Sequence, residues 1–282
     1  MSKGPGLFSD FGKKAKDVLN KDYSPDQKIT IHSSSFSGVA LTSNVANKGG
    51  LSSGDVGARY KYENAEFDVK LETESNVTPA LFLSKIQVSQ YCFSNNTLFH
   101  ITDSVCSFLS QFEVQYLHQH ASFTGALGLN KSPAVDFSAA IGTPSIAFGA
   151  EATYITASGE FAKYNTGVSL TKPDSNASVI LADKGDSIRF SSLCNLNQLN
   201  GGAVVGEISR RFSTNENTLT VGFSYVVDPQ TLLKAKLNNH GNLGALVQHE
   251  LMPKSFLTIS GAFDTKALQN TPKFGLALSL KP

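Results

Sequence analysis

Thr218-Leu-Thr-Val-Gly-Phe-Ser-Tyr-Val-Val-Asp-Pro-Gln-Thr-Leu-Leu-Lys-Ala-Lys-Leu-Asn238 decides how the rest of the chain is read. Leu219, Val221, Phe223 and Tyr225 alternate with Thr218, Thr220, Gly222 and Ser224. Beyond Asp228-Pro229 the alternation resumes, with Leu233, Ala235 and Leu237 opposite Lys234, Lys236 and Asn238. A period of two sends successive side chains to opposite faces, so each run is a strand with one apolar and one polar face. Asp228-Pro229 is a turn signal, and the two runs form a hairpin.

The same period recurs through most of the sequence. Val56, Ala58, Tyr60 and Tyr62 oppose Gly57, Arg59, Lys61 and Glu63, and Phe67, Val69 and Leu71 oppose Asp68, Lys70 and Glu72. Ile29 and Ile31 stand against Lys28, Thr30 and His32, and Leu276, Leu278 and Leu280 repeat the pattern near residue 280. Turn clusters such as Asn47-Lys-Gly-Gly50, Asp183-Lys-Gly-Asp186 and Asn239-His-Gly241 separate the runs. Residues 26–282 number 257. At roughly 13 residues per strand and turn, that length gives about 19 strands. One stretch, 80–110, is atypical: it has apolar clusters, poor alternation, and both Cys92 and Cys106.

Only the first twenty-odd residues follow a helical period. Phe8, Phe11, Ala15, Val18 and Leu19 share one helix face, with Ser9 or Asp10 to cap its start. Asp10, Lys13, Lys14, Lys16 and Asp17 occupy the other faces. So short a helix is marginal alone and needs an apolar surface to lie on. Pro25 disfavours helix at Ser24, so residues 1–25 read as a helix and hinge ahead of the strands at 26–282.

Mean hydropathy is −0.11, and no stretch approaches the roughly 18 apolar residues a membrane helix requires. A helical membrane protein is excluded. A β-barrel is not, because its alternating faces average to near-neutral hydropathy. Charge is almost balanced, 24 Lys and Arg against 23 Asp and Glu, which argues against a nucleic-acid binder and its concentrated basic surface. Three cysteines do not make a disulfide framework. The amino end carries no apolar core or cleavage site of a secretory signal.

Two architectures accommodate so many hairpin-linked strands. A soluble sandwich or propeller buries the apolar faces, whereas a membrane barrel turns them to lipid and keeps a polar interior. Enzyme readings find no support. His118-Gln-His120 lacks a third ligand, so no metal site is expected. Gly125-Ala-Leu-Gly128 and Gly201-Gly202 open no helix and read as strand and turn glycines. No nucleophile–base pair and no cofactor motif stands out.

The segment Tyr225 to Val247 resembles the signature of the eukaryotic mitochondrial porins, with Tyr225, Asp228, Lys236, Leu237, Asn238, Asn239 and Gly244 in place. Leu181 to Ile188, Gly206 to Asn217 and Phe274 to Pro282 are similar to plant-type voltage-dependent anion channels. Gly6 to Leu19 resembles the family's pore-lining helix. The resemblance covers residues 4–77 and 111–282 and departs at 80–110. The hinge Asp22-Tyr-Ser-Pro25 also lacks the glycines of animal relatives. The acidic membrane-facing residue of some animal members falls near Leu71, so its role is not carried over.

The resemblance implies an all-β transmembrane antiparallel barrel of about 19 strands with the amino-terminal amphipathic helix in its lumen. The function it implies is a voltage-gated, weakly anion-selective channel of the mitochondrial outer membrane, passing ions, ATP, ADP and phosphate without a cofactor. Its partners would be the lipid bilayer, permeating anions and adenine nucleotides, homo-oligomers and cytosolic proteins. In such a barrel Phe8, Phe11 and Val18 dock the helix. Lys13, Lys14, Lys16 and Asp17 then face the bore, joined from the wall by Arg59, Lys61, Lys234 and Lys236. Asp10, Asp17, Asp68 and Glu72 offset these cations, so selectivity should be mild. Two other readings share the pattern: a protein-import barrel of the same membrane, and a soluble all-β binding protein.

Overall fold

Alternation over residues 216–238 produces two antiparallel strands whose side chains separate by face. In the computed structural model Val221 and Phe223 expose 48% and 43% of their surface, while Gly222 between them is buried. The structure describes residues 4–35, 39–48, 51–62, 65–73, 86–89, 111–128, 133–196, 201–266 and 272–281. Of these, the side chains of 48, 51, 61–73, 86–89 and 111–113 fall outside the description.

Eighteen strands follow one another along the chain. The first five are β1 (Gln27–Ser34), β2 (Val39–Lys48), β3 (Leu51–Tyr62), β4 (Ala65–Thr73) and the short β5 (Ile86–Ser89). Next come β6 (Gln111–Leu117), β7 (Ala121–Gly128), β8 (Ala134–Gly142), β9 (Ile146–Ile155) and β10 (Glu160–Thr171). Then follow β11 (Ser175–Ala182), β12 (Ser187–Leu196), β13 (Gly202–Arg211) and β14 (Glu216–Asp228). The last are β15 (Thr231–Asn238), β16 (Asn242–Met252), β17 (Ser255–Asp264) and β18 (Lys273–Leu280). All belong to one sheet, in which neighbours along the chain are neighbours in space, and β1 also pairs with β18.

The β1–β18 pairing is parallel, Ile29 opposite Leu278. Strand direction must flip an even number of times around any ring, so parallel joins follow a parity rule. Nineteen meandering strands need one such join; eighteen that already contain one need a second. That second join is β5–β6, parallel from Ile86–Val114 to Ser89–Leu117. The expected count of about 19 is therefore corrected to eighteen among the described residues, and the shortfall falls where alternation failed in the sequence. β4 and β5 meet only at Ala65 and Ile86, so the ring is not hydrogen-bonded shut there.

The inside–outside distribution is the reverse of a soluble protein's. Ile141, Phe148, Phe161, Ile208 and Phe274 are exposed, and among the described residues no second sheet covers them. The buried positions are largely small or polar, among them Ser122, Asn165, Ser178, Ser191, Thr258 and Ser260. A contiguous exposed apolar belt of this extent requires hydrocarbon against it. The soluble all-β reading is not supported.

This assignment of faces predicts an asymmetric response to charge. Val221→Lys should lower unfolding free energy in lipid vesicles by about 2–4 kcal/mol, the cost of a cation near the bilayer midplane. Thr220→Lys, one residue away but facing the bore, should be close to neutral. Urea titration of both variants checks the pair, and equal effects would contradict the face assignment.

Candidate functional site: the bore and its helix

The inner wall carries the amino-terminal segment. A 3-10 turn at Phe8–Asp10 is followed by helix α1 (Lys13–Asn20), so the continuous helix expected from the period is broken. The break is Gly12, at φ 67°, a conformation that favours glycine. A Cβ there would also meet the Ser178 and Ser191 hydroxyls at 2.7 and 3.0 Å, so glycine brings the backbone close to the wall. Asp10 accepts the Leu7 backbone N–H at 3.2 Å, and its other carboxylate oxygen accepts from Lys13 at 3.3 Å.

Two apolar clusters hold the segment. Phe8 and Phe11 pack with Ala140 and Ala147 of β8 and β9. Ala15 and Leu19 pack with Leu193, Ala203 and Val205 of β12 and β13. Val18, named with Phe8 and Phe11 from sequence, lies half-buried at the edge of the second cluster. Ala15 and Leu19, each 1% exposed, take the central place. A helical wheel finds the apolar face but cannot tell which residue on it meets the wall. The wall answers with small residues: a Cβ on Gly222 would come within 2.6 Å of the Leu19 Cδ2.

The hinge is pinned rather than loose. Lys234, whose side chain is only 9% exposed, pairs with Asp22 at 3.7 Å. Lys236 places its ammonium 4.4 Å from the centre of the Tyr23 ring. Ser260 donates to the Ser24 carbonyl at 2.6 Å, and the Leu276 N–H donates to the Asp26 carbonyl at 3.3 Å. Gly275 leaves the space that the Ser24 carbonyl occupies. Burial pushes the Tyr23 hydroxyl up to about 12. At the other end of the segment the Ser122 hydroxyl donates to the Gly6 carbonyl at 2.5 Å.

These contacts redistribute the charges expected in the bore. Lys14 and Lys16 project exposed from α1, and neither forms an ion pair among the described residues. Lys13 is exposed but pairs with Asp10, and Asp17 is half-buried. Arg59 is exposed on the bore side of β3, in register with Asp68, and the side chain of Lys61 falls outside the description. Lys234 and Lys236 do point inward, but the expectation that they line the water column freely is corrected: the hinge buries Lys234 and half-covers Lys236. Alternation fixes the face of a residue and says nothing of what lies on that face. Two further wall cations face carboxylates, Lys163 with Glu151 at 2.7 Å and Arg189 with Glu207 at 3.9 Å.

At the rim, Arg211 pairs with Asp183 and Asp186 of the β11–β12 turn at 3.5 and 3.8 Å. The Ser187 hydroxyl and then Arg211 hold the Asp183 carboxyl below the usual carboxylate range. His118 and His120 stand in the β6–β7 turn with ring centres 6.1 Å apart. Among the described residues no group of three metal-ligating side chains converges. Of the signature residues, Tyr225 and Asp228 lie on β14, Lys236 to Asn238 on β15, Asn239 in the turn and Gly244 on β16 against Lys236 and Tyr23. Cys194 is a free thiol on β12, and Cys92 and Cys106 lie outside the described residues.

A single sheet with a lipid-compatible outer face, a polar inner face and a cation-bearing helix on its inner wall defines a membrane channel. The chain belongs to the eukaryotic porin family, whose model matches residues 4–275. It is 52% identical over 282 residues, 100% of both chains, to mitochondrial outer membrane protein porin 2 of Arabidopsis thaliana. Mitochondrial outer membrane protein porin 5 of Oryza sativa subsp. japonica is 51% identical over 280 residues, 99% of each chain. The outer plastidial membrane protein porin of Pisum sativum is 41% identical over 282 residues, again 100% of both. The similarity thus runs through residues 80–110, where the resemblance read from the residues stopped.

Two substitutions test the docking. Gly222→Leu should displace α1 by driving a side chain into Leu19, raising proteolysis of the amino-terminal segment in the folded barrel. Asp22→Asn leaves Lys234 covered without its counter-charge. A fully buried pair broken this way costs about 3–5 kcal/mol; with Asp22 about one-third exposed, on the order of 1–2 kcal/mol is expected. Trypsin cleavage after Lys21 should then accelerate, and adding Lys234→Met should slow it again.

Proposed function

We propose that this protein is a voltage-gated, weakly anion-selective channel that passes small ions and metabolites, including ATP, ADP and phosphate, across the mitochondrial outer membrane. Family membership and the relatives named as mitochondrial outer membrane porins support this reading. The observation that carries it is the exposed Lys14 and Lys16 on a helix held by its apolar face against the inner wall. The bilayer and permeating solutes are partners of any such channel; adenine nucleotides, further copies of the chain and cytosolic proteins are proposed partners.

Selectivity follows from fixed charge. A wide aqueous bore sieves by size, and charges on its wall bias ion concentration within a Debye length, about 8–10 Å at physiological salt. Lys163, Arg189, Arg211 and Lys234 each face a carboxylate and contribute little net field. Among the described residues of the helix, Lys14 and Lys16 are left without a carboxylate partner, at the narrowing the helix makes. So few uncompensated cations give a mild preference for anions. Gating draws on the same charges, because a potential of 100 mV acts with about 2.3 kcal/mol on each elementary charge crossing it.

The double variant K14E/K16E in a planar bilayer under a KCl gradient should shift the reversal potential toward the potassium side. K234Q, whose charge is already compensated and covered, should shift it far less. Channels whose reversal potential is the same in wild type and K14E/K16E would refute the helix as the source of selectivity.

A further inference from the structure

One mouth of the barrel contains a cavity of about 380 Å³ beside the β1–β18 seam. It lies where β1 and β18 end and β17 begins, away from α1. Lys254 in the β16–β17 turn, Lys281 after β18 and His32 on β1 give it three basic groups. Ser33, Ser34, Thr42 and Ser279 add four hydroxyls, and Phe256 and Leu41 supply the apolar part of the wall. No Asp or Glu is among the lining residues.

The basic groups are positioned by their backbones. The Lys254 N–H donates to the Glu250 Oε1 at 2.7 Å, which engages the acidic neighbour of that turn. The Lys281 N–H donates to the Ser255 Oγ at 3.1 Å, fixing the chain just beyond β18. His32 Nδ1 lies 3.1 Å from the Thr42 hydroxyl across the β1–β2 pair. Two lysines, a histidine and several hydroxyl-bearing residues around one concavity suit a compact anion with oxygens on all sides, which accepts charge-assisted hydrogen bonds from many directions. Apolar side chains in the wall lower the local dielectric and strengthen those interactions.

We propose that this cavity is a binding site for a phosphate group at one mouth of the channel. The group comes either from a soluble phosphate ligand entering the bore or from a phospholipid headgroup at the rim. The site is independent of the helix: it uses none of the residues to which selectivity is assigned, and it lies at one mouth. A channel carrying it treats its two sides differently.

Inorganic pyrophosphate added to one compartment of a bilayer holding a single full-length channel is the first probe. Chloride current should fall several-fold more when pyrophosphate is on one side than on the other, and K254Q/K281Q and S279D should each abolish the difference. K14E/K16E should keep the sidedness while altering ion selectivity, so failure of the selectivity reading and failure of this one are told apart. The second probe is the phosphorus resonance of short-chain phosphatidylcholine with the protein in a phosphate-free detergent. Broadening by wild type, lost in K254Q/K281Q, together with no sided block, would assign the cavity to lipid headgroups. Symmetric block and an unbroadened lipid resonance together would overturn the site.

Discussion

Every backbone N–H and C=O in hydrocarbon has to find its partner within the protein, because no water is available there to replace it. For a chain built of strands the demand is met only by a sheet that returns on itself. The β1–β18 pairing is that return, and its parallel sense governs the strand count by parity. The parallel β5–β6 pair and the single contact between β4 and β5 are where the ring departs from the ideal.

Once strands form a wall between lipid and water, packing takes an unusual form. The largest apolar side chains face outward, and the space inside is lined by serine, threonine and asparagine. The interior apolar clusters exist because the amino-terminal segment returns to the wall. It brings Phe8, Phe11, Ala15 and Leu19 to patches of alanine, valine and leucine that would otherwise face water. Removing these four side chains from the bore is the hydrophobic term that holds the segment, and glycines at 12 and 222 let it approach closely.

The same docking sorts the charges. A lysine deep under the hinge must be paired, because burying an uncompensated cation is costly. Asp22 supplies the partner for Lys234, and the Tyr23 ring shelters Lys236. The helix's solvent side bears no such constraint, and Lys14 and Lys16 extend into the bore. The protein thus separates cations held under the hinge from cations left exposed on the helix, and the proposed selectivity rests on the second group.

The period of two in Thr218 to Asn238 determined the strands, their faces and the position of the turn, because lipid on one side and water on the other write that period directly into the residues. The 3.6-residue period of Phe8 to Leu19 likewise determined the apolar face of the helix. Tertiary structure alone decided the rest. The turn of the chain at Gly12, the depth of Ala15 and Leu19, and the Asp22–Lys234 pair join residues up to 212 positions apart. Local periodicity records which way a side chain points. Which element comes to lie on it is set by the closing of the sheet, which brings distant strands around a common bore.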